Sequence, residues 1–170
     1  MIDLDQIIIK LTGNAEAMDA LMHTVTEEQA NWSLDASTWS MKQVIEHLYN
    51  EERIDFRRHL QEVLSNPPLT WGSLPGGKVP INDHQQGFED FLTERHKSLQ
   101  WLHSLGSVDW NSAFPTAHQP EGNTVKLNAG DVLVSWVAHD YLHLRQMIEL
   151  VYAWQVKQAA PYSVDYGGEW

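Results

Sequence analysis

Cysteine is absent from the 170 residues. That single gap removes a disulfide framework, a thiolate metal site and a cysteine nucleophile. Basic charge is scarce, with 11 Lys and Arg against 23 Asp and Glu, a formal net charge of -12. Such a surface repels phosphate backbones and anionic lipid, so neither nucleic acid nor a membrane is expected as partner. No apolar run approaches the length of a membrane span. The start, Met1-Ile2-Asp3-Leu4-Asp5, lacks the basic residues of a signal peptide, which points to the cytoplasm. Internal repeats and low-complexity segments are missing too. The length suits one domain spanning 1–170, with a tail, 159–170, that follows no clear pattern.

Tryptophan and histidine are abundant instead, at eight and nine. Tryptophans more often fill a core than line a pocket. Trp32, Trp39, Trp71 and Trp136 are nonetheless candidates to wall an apolar cavity.

Hydrophobic periodicity predicts four helices and no convincing strand pair, hence an all-α four-helix bundle. The first helix covers 4–25, where Leu4, Ile7, Ile8, Leu11, Ala15, Met18 and Met22 keep the period while Gly13 and Asn14 weaken the middle. Residues 26–31 read as a connection or short turn, and 32–38 as a loop. The second helix opens near Ser40, whose partner Gln43 completes a capping box, and runs to about Leu64 before Asn66-Pro67-Pro68. The third follows Asn82 or Asp83 and ends near Leu105. The fourth is capped by Asn128 and carries the stretch Val132 to Gln158. Two long connections, 65–81 and 106–130, separate the later helices; within the second, Thr124-Val125-Lys126-Leu127 suits a short extended piece. A 17-residue loop reaches roughly 55 Å, more than the roughly 40 Å length of the second helix. It can therefore run back along the bundle and let helices two and three lie parallel.

The fourth helix carries the chemistry. His139 and His143 are four residues apart, so both imidazoles share one helical face, here the seam between Trp136 and Met147. A metal ion is the partner that uses both. A third ligand must come from another helix, and His47, bordering the stripe of helix two beside Val44 and Leu48, is the best candidate. Three histidines leave coordination open, the mark of a catalytic site. Glu51, four residues after His47, is placed to orient a ligand, accept a proton or coordinate. Asp140 and Arg145 point off this face towards surface pairing. The competing account is that the histidines are hydrogen-bonded core residues, since spacing alone leaves His47 undecided. The other six histidines, at 23, 59, 84, 96, 103 and 118, read as surface, loop or packing residues, with His96 and His103 flanking the core.

Trp39-Ser40 leading into Val44-Ile45-Glu46-His47-Leu48, together with His139-Asp140-Tyr141-Leu142-His143-Leu144-Arg145-Gln146, resembles the DinB/YfiT-like superfamily of metal-dependent four-helix proteins. The resemblance runs from helix one to about residue 155. It implies an unusual helix order, and His47, His139 and His143 as ligands of a divalent ion, nickel or zinc. It also implies a homodimer and a small-molecule substrate. The chemistry expected is hydrolysis or transfer with a low-molecular-weight thiol. Two other functions fit the same residues: a stress-response protein that binds a metal or small ligand without turnover, and a structural dimer whose histidines pack in the core. With unperturbed imidazoles, metal affinity should fall as pH drops through about 6.

Overall fold

The computed structural model describes residues 2–115 and 126–168. Its helices are α1 (Leu4–Met22), α2 (Glu27–Asn31), α3 (Met41–Ile54), α4 (Phe56–Val63), α5 (His84–Ser104) and α6 (Ala129–Gln158), followed by a 3-10 turn at Asp165–Gly167. Side-chain caps open α3, α5 and α6 where the sequence predicts. Ser40 with Gln43 and Asn128 with Asp131 close reciprocal capping boxes, and Asp3 and Asp83 accept from Gln6 and Gln86 amides. Four helical columns form a four-helix bundle: α1, α3 continued by α4, α5 and α6. The short α2 is a single helical turn within the segment read as a connection or short turn.

Helix two of the sequence is two helices. Asp55 leaves helical geometry at φ -116° and ψ -93°, although Asp55 N–H still bonds Glu51 C=O and His59 N–H bonds Asp55 C=O. Aspartate is a poor helix former, and Glu51 packs against it from the preceding turn. The kink swings Phe56 inward, under Trp136 and His139.

Contacts fix the direction of each column. Lys42 and Glu46 meet Asn82 and Ile81, while Arg57 meets Glu94 and Ser98, so α3–α4 and α5 run parallel. Met18 and Met22 pack with Met147 and Leu150, while Ile7 and Leu11 pack with Leu133 and Trp136, so α1 and α6 are parallel too. The two pairs oppose each other. The order is up, down, down, up, which requires the chain to cross the bundle's length between α4 and α5.

The 65–83 connection makes that crossing as a strap hooked onto α3 and α4. Leu74 and Gly72 amides donate to Glu62 Oε1 and Oε2, at 2.7 and 2.9 Å. Asn50 takes the Val79 amide on Oδ1 and gives its own amide to Val79 C=O. Glu46 Oε2 accepts from Ile81 N–H, and Lys42 Nζ donates to Asn82 C=O. Residues 42, 46 and 50 recur every four positions, one face of α3, so a helical row of polar side chains reads the strap in register. Gly72 sits at φ 76°, a left-handed conformation that frees its amide for Glu62. Glu62 is fully buried; burial pushes its carboxyl up, but the Leu74 amide, His59 and the Gly72 amide outweigh that and hold it below its usual value. Glu62→Gln replaces an acceptor with a donor facing backbone N–H groups. It is expected to cost about 1–3 kcal/mol and to expose 65–83 to limited proteolysis, read by urea melts and cleavage mapping.

The core divides into two apolar clusters. One holds Met18, Met22, Val44, Leu48, Phe91, Met147 and Leu150; the other holds Ile7, Leu11, Leu60, Val63, Leu102, Leu133 and Trp136. Between them lies a buried polar layer with one residue from each column: Asn14, Glu52, Arg95 and Asp140. The surface role expected for Asp140 is thereby corrected. Asp140 is fully buried and binds Arg95, because α6 turns 100° per residue and the position after His139 faces α5 and α1. Arg145 does lie at the surface, paired with Glu149.

Past α5, Phe114 N–H bonds Leu127 C=O, and Ala129 N–H bonds Ser112 C=O. Phe114 is buried against Trp71, which stacks on His59 at 3.5 Å. His118, Thr124-Val125 and Trp170 lie outside the described residues. In the tail, Tyr162 and Tyr166 are exposed. No helix among the described residues is long and apolar enough to cross a membrane.

Candidate metal centre

His47 lies on α3, which is antiparallel to α6, and its ring meets those of His139 and His143. His139 Nε2 is 3.0 Å from His47 Nε2 and 3.1 Å from His143 Nε2. One nitrogen from each ring lies within 4.8 Å of the others. The i, i+4 spacing stacks His139 and His143, with ring centroids 4.4 Å apart. Metal–nitrogen bonds of about 2.1 Å at right-angled to tetrahedral angles put neighbouring nitrogens about 3.0–3.4 Å apart, so both short contacts suit a common ion.

The outer nitrogens show which way the lone pairs face. Gln146 Oε1 is 2.9 Å from His143 Nδ1 and accepts its hydrogen bond, leaving Nε2 of the neutral His143 ring as an acceptor. Glu51 Oε1 lies 3.5 Å from His47 Nδ1, the nitrogen turned away from the cluster. His139 Nε2 faces the other two Nε2 atoms with at most one ring proton to share between the contacts. A cation uses all three nitrogens at once, so the donor set fits a divalent ion.

Electrostatics keep the rings in the ligand form. Burial, then repulsion from His143 and Lys78, pushes His47 down to about 4. Burial, then His143, His47 and Arg95, takes His139 down to about 3, and burial also lowers His143. The pH expectation from unperturbed imidazoles shifts accordingly: proton competition with a metal moves well below pH 6. Stability of the metal-free protein follows the same shifts. Above the ordinary value of about 6.5 the rings are neutral folded or unfolded. As pH falls below that, the unfolded chain takes up protons that the buried rings refuse. Stability is lost by up to about 1.4 kcal/mol per pH unit per ring, until the folded values are passed. Urea midpoints of metal-free protein should fall between pH 7 and 5, and His139→Gln should flatten that slope.

Aromatic residues enclose the cluster. Trp39 lies parallel to His143, with centroids 6.2 Å apart, and edge-on to His47 at 5.1 Å. Phe56 packs on His139 from the other side at 5.0 Å. A cavity of about 200 Å³ opens beside His47, lined by Trp39, Gln43, Glu46, Asn50 and Lys78. Glu51 is half-buried; burial and the neighbouring Asp55 raise its carboxyl to about 7.

The four tryptophans do not share a pocket. Trp136 is core, Trp71 lies on His59, Trp32 meets Trp154, and Trp39 alone borders the cluster. His59 and His84 are buried, bonded to Glu62 and Val25 C=O. His96 and His103 are exposed rather than flanking the core. Phe56 and Lys78 join the site with no signal in the sequence, since a kink brings one and the strap the other. Gln146 carried a signal, the i, i+3 spacing from His143.

The fold and its cluster define a class: a helical bundle with two parallel helix pairs and three imidazoles from two helices meeting at one point. A family model of the DinB superfamily matches residues 10–147, and the chain belongs to that superfamily. Its structure is similar to that of YfiT from Bacillus subtilis, described as a probable metal-dependent hydrolase with an unusual four-helix bundle topology. The TM-score is 0.68 at 16% identity, over 90% of each chain. No curated protein matches the chain.

Proposed function

We propose that the chain is a metal-dependent enzyme of the hydrolase or thiol S-transferase type, with His47, His139 and His143 holding a divalent ion, nickel or zinc. The observation that carries this reading is the convergence of three imidazole nitrogens within 4.8 Å, with His139 Nε2 at 3.0 and 3.1 Å from the other two. The probable metal dependence of YfiT supports it. An ion held by three imidazoles supplies Lewis acidity, which brings deprotonation of a water or low-molecular-weight thiol towards neutral pH. Glu51, raised to about 7, stands behind His47 on its Nδ1 side, where it orients that ring and exchanges a proton with it near neutrality. Gln146 fixes the ring of His143, and Trp39 and Phe56 flank the cluster with apolar surface. The cavity bounded by Trp39 and Lys78 receives the small-molecule substrate, with Lys78 favouring an acidic group.

Protein loaded with nickel or zinc and assayed on ester, amide and thiol-conjugation substrates should turn over at least one class, and chelator should abolish the activity. Stoichiometric metal with no turnover on any of them contradicts the catalytic reading and leaves a metal-binding protein.

A further inference from the structure

The polar layer does more than fill the core. We propose that Arg95, acting through Asp140 and Glu52, is a positioning residue that sets α6 against α3 so that His139 and His143 meet His47; this rests on the metal-site reading above. Arg95 is 2% exposed. Its Nη1 and Nη2 donate to Asp140 Oδ2 and Oδ1 at 2.7 and 2.8 Å, a two-pronged fork. Nη2 also lies 3.0 Å from Glu52 Oε2, which accepts Trp136 Nε1 at 3.1 Å. Nη1 further donates to Leu11 C=O, and Asn14 reaches Asp140 at 3.4 Å, bringing in α1.

The placement of these bonds matters. Asp140 directly follows His139, and Trp136 precedes it by one turn. Glu52 lies five residues after His47 on α3. Helix α6 is thus held on both sides of His139, from α5 by the fork and from α3 through the Glu52 carboxylate. Apolar packing tolerates small slips and rotations, and cores lose uniqueness before they lose stability. A fork on a carboxylate has one geometry. Three ligands from two helices need positioning to about 0.5 Å, which packing between the two apolar clusters does not guarantee.

The layer is also poorly built for stability alone. Two buried carboxylates share one guanidinium, and Glu52 Oε1 and Arg95 Nε are buried without a hydrogen-bond partner. Apolar side chains of similar volume would stabilise such a position as well or better. A role in register accounts for the arrangement.

The test separates register from stability. The triple variant Arg95→Met, Glu52→Gln, Asp140→Leu removes the buried charges and leaves an acceptor for Trp136. Arg95→Lys keeps the charge and loses the fork. Metal-free melting, zinc affinity by chelator competition and the visible spectrum of cobalt-loaded protein are measured for both and for the unsubstituted chain. The expected result is a triple variant that melts near the unsubstituted protein yet binds zinc at least about tenfold more weakly, with shifted cobalt bands. Arg95→Lys should fold and show the same shift with a smaller loss, and it decides the matter if the triple variant does not fold. Unchanged affinity and spectrum in the folded variants overturn the proposal. Failure of the unsubstituted protein to bind zinc or cobalt is a separate outcome: it removes the metal reading and this inference with it.

Discussion

His139→Ala is expected to weaken zinc or nickel binding by at least about 100-fold, beyond what loss of an outer-shell partner costs. His139 is the middle ring, within 3.0 and 3.1 Å of the other two, so its loss leaves two imidazoles on different helices with no common neighbour. The metal-free variant should still melt within about 5 °C of the parent. Near neutral pH the ring is neutral folded or unfolded, so truncation costs only its packing on Phe56. Below about pH 6.5 the loss is offset, because the variant no longer carries a buried imidazole whose protonation is opposed by its surroundings. Chelator competition and thermal melts on one preparation check both halves. A variant that unfolds while its metal affinity is unchanged contradicts the site.

Arg95→Met alone should destabilise the bundle by about 3–5 kcal/mol. It leaves Asp140 and Glu52 as two buried carboxylates with no counter-charge, at 0% and 1% exposure. Asp140 keeps only a 3.4 Å contact to Asn14, and Glu52 keeps the Trp136 indole. For a chain of this length the loss corresponds to a melting temperature about 10 °C lower or more. Urea melts at pH 7 read the effect, and a cost below about 1 kcal/mol contradicts the account of the layer.

The two variants probe parts of the molecule that the sequence disclosed unequally. The bundle was legible because Leu4 to Met22 and Val132 to Gln158 keep helical periods for five turns or more, and because Ser40 and Asn128 announce the starts of their helices. His139 and His143 were legible as a pair, since their spacing is local. That His47 joins them depends on how α3 faces α6, a tertiary fact that the family resemblance anticipated and spacing could not. The polar layer was not legible. Asn14 looked like a weak point in the first helix and Asp140 like a surface residue, because nothing in a single helix tells which polar residue meets partners from three others. The break at Asp55 was hidden too, as the apolar period runs through it from Ile54 to Leu60.

The most direct measurement is X-ray absorption at the metal edge of zinc- or nickel-loaded protein, with metal content counted on the same sample. The account predicts one ion per chain, with three imidazole nitrogens at about 2.0–2.1 Å and the imidazole signal reduced in His47→Ala. A chain that takes up no ion, or one whose ion shows no imidazole scattering, contradicts it.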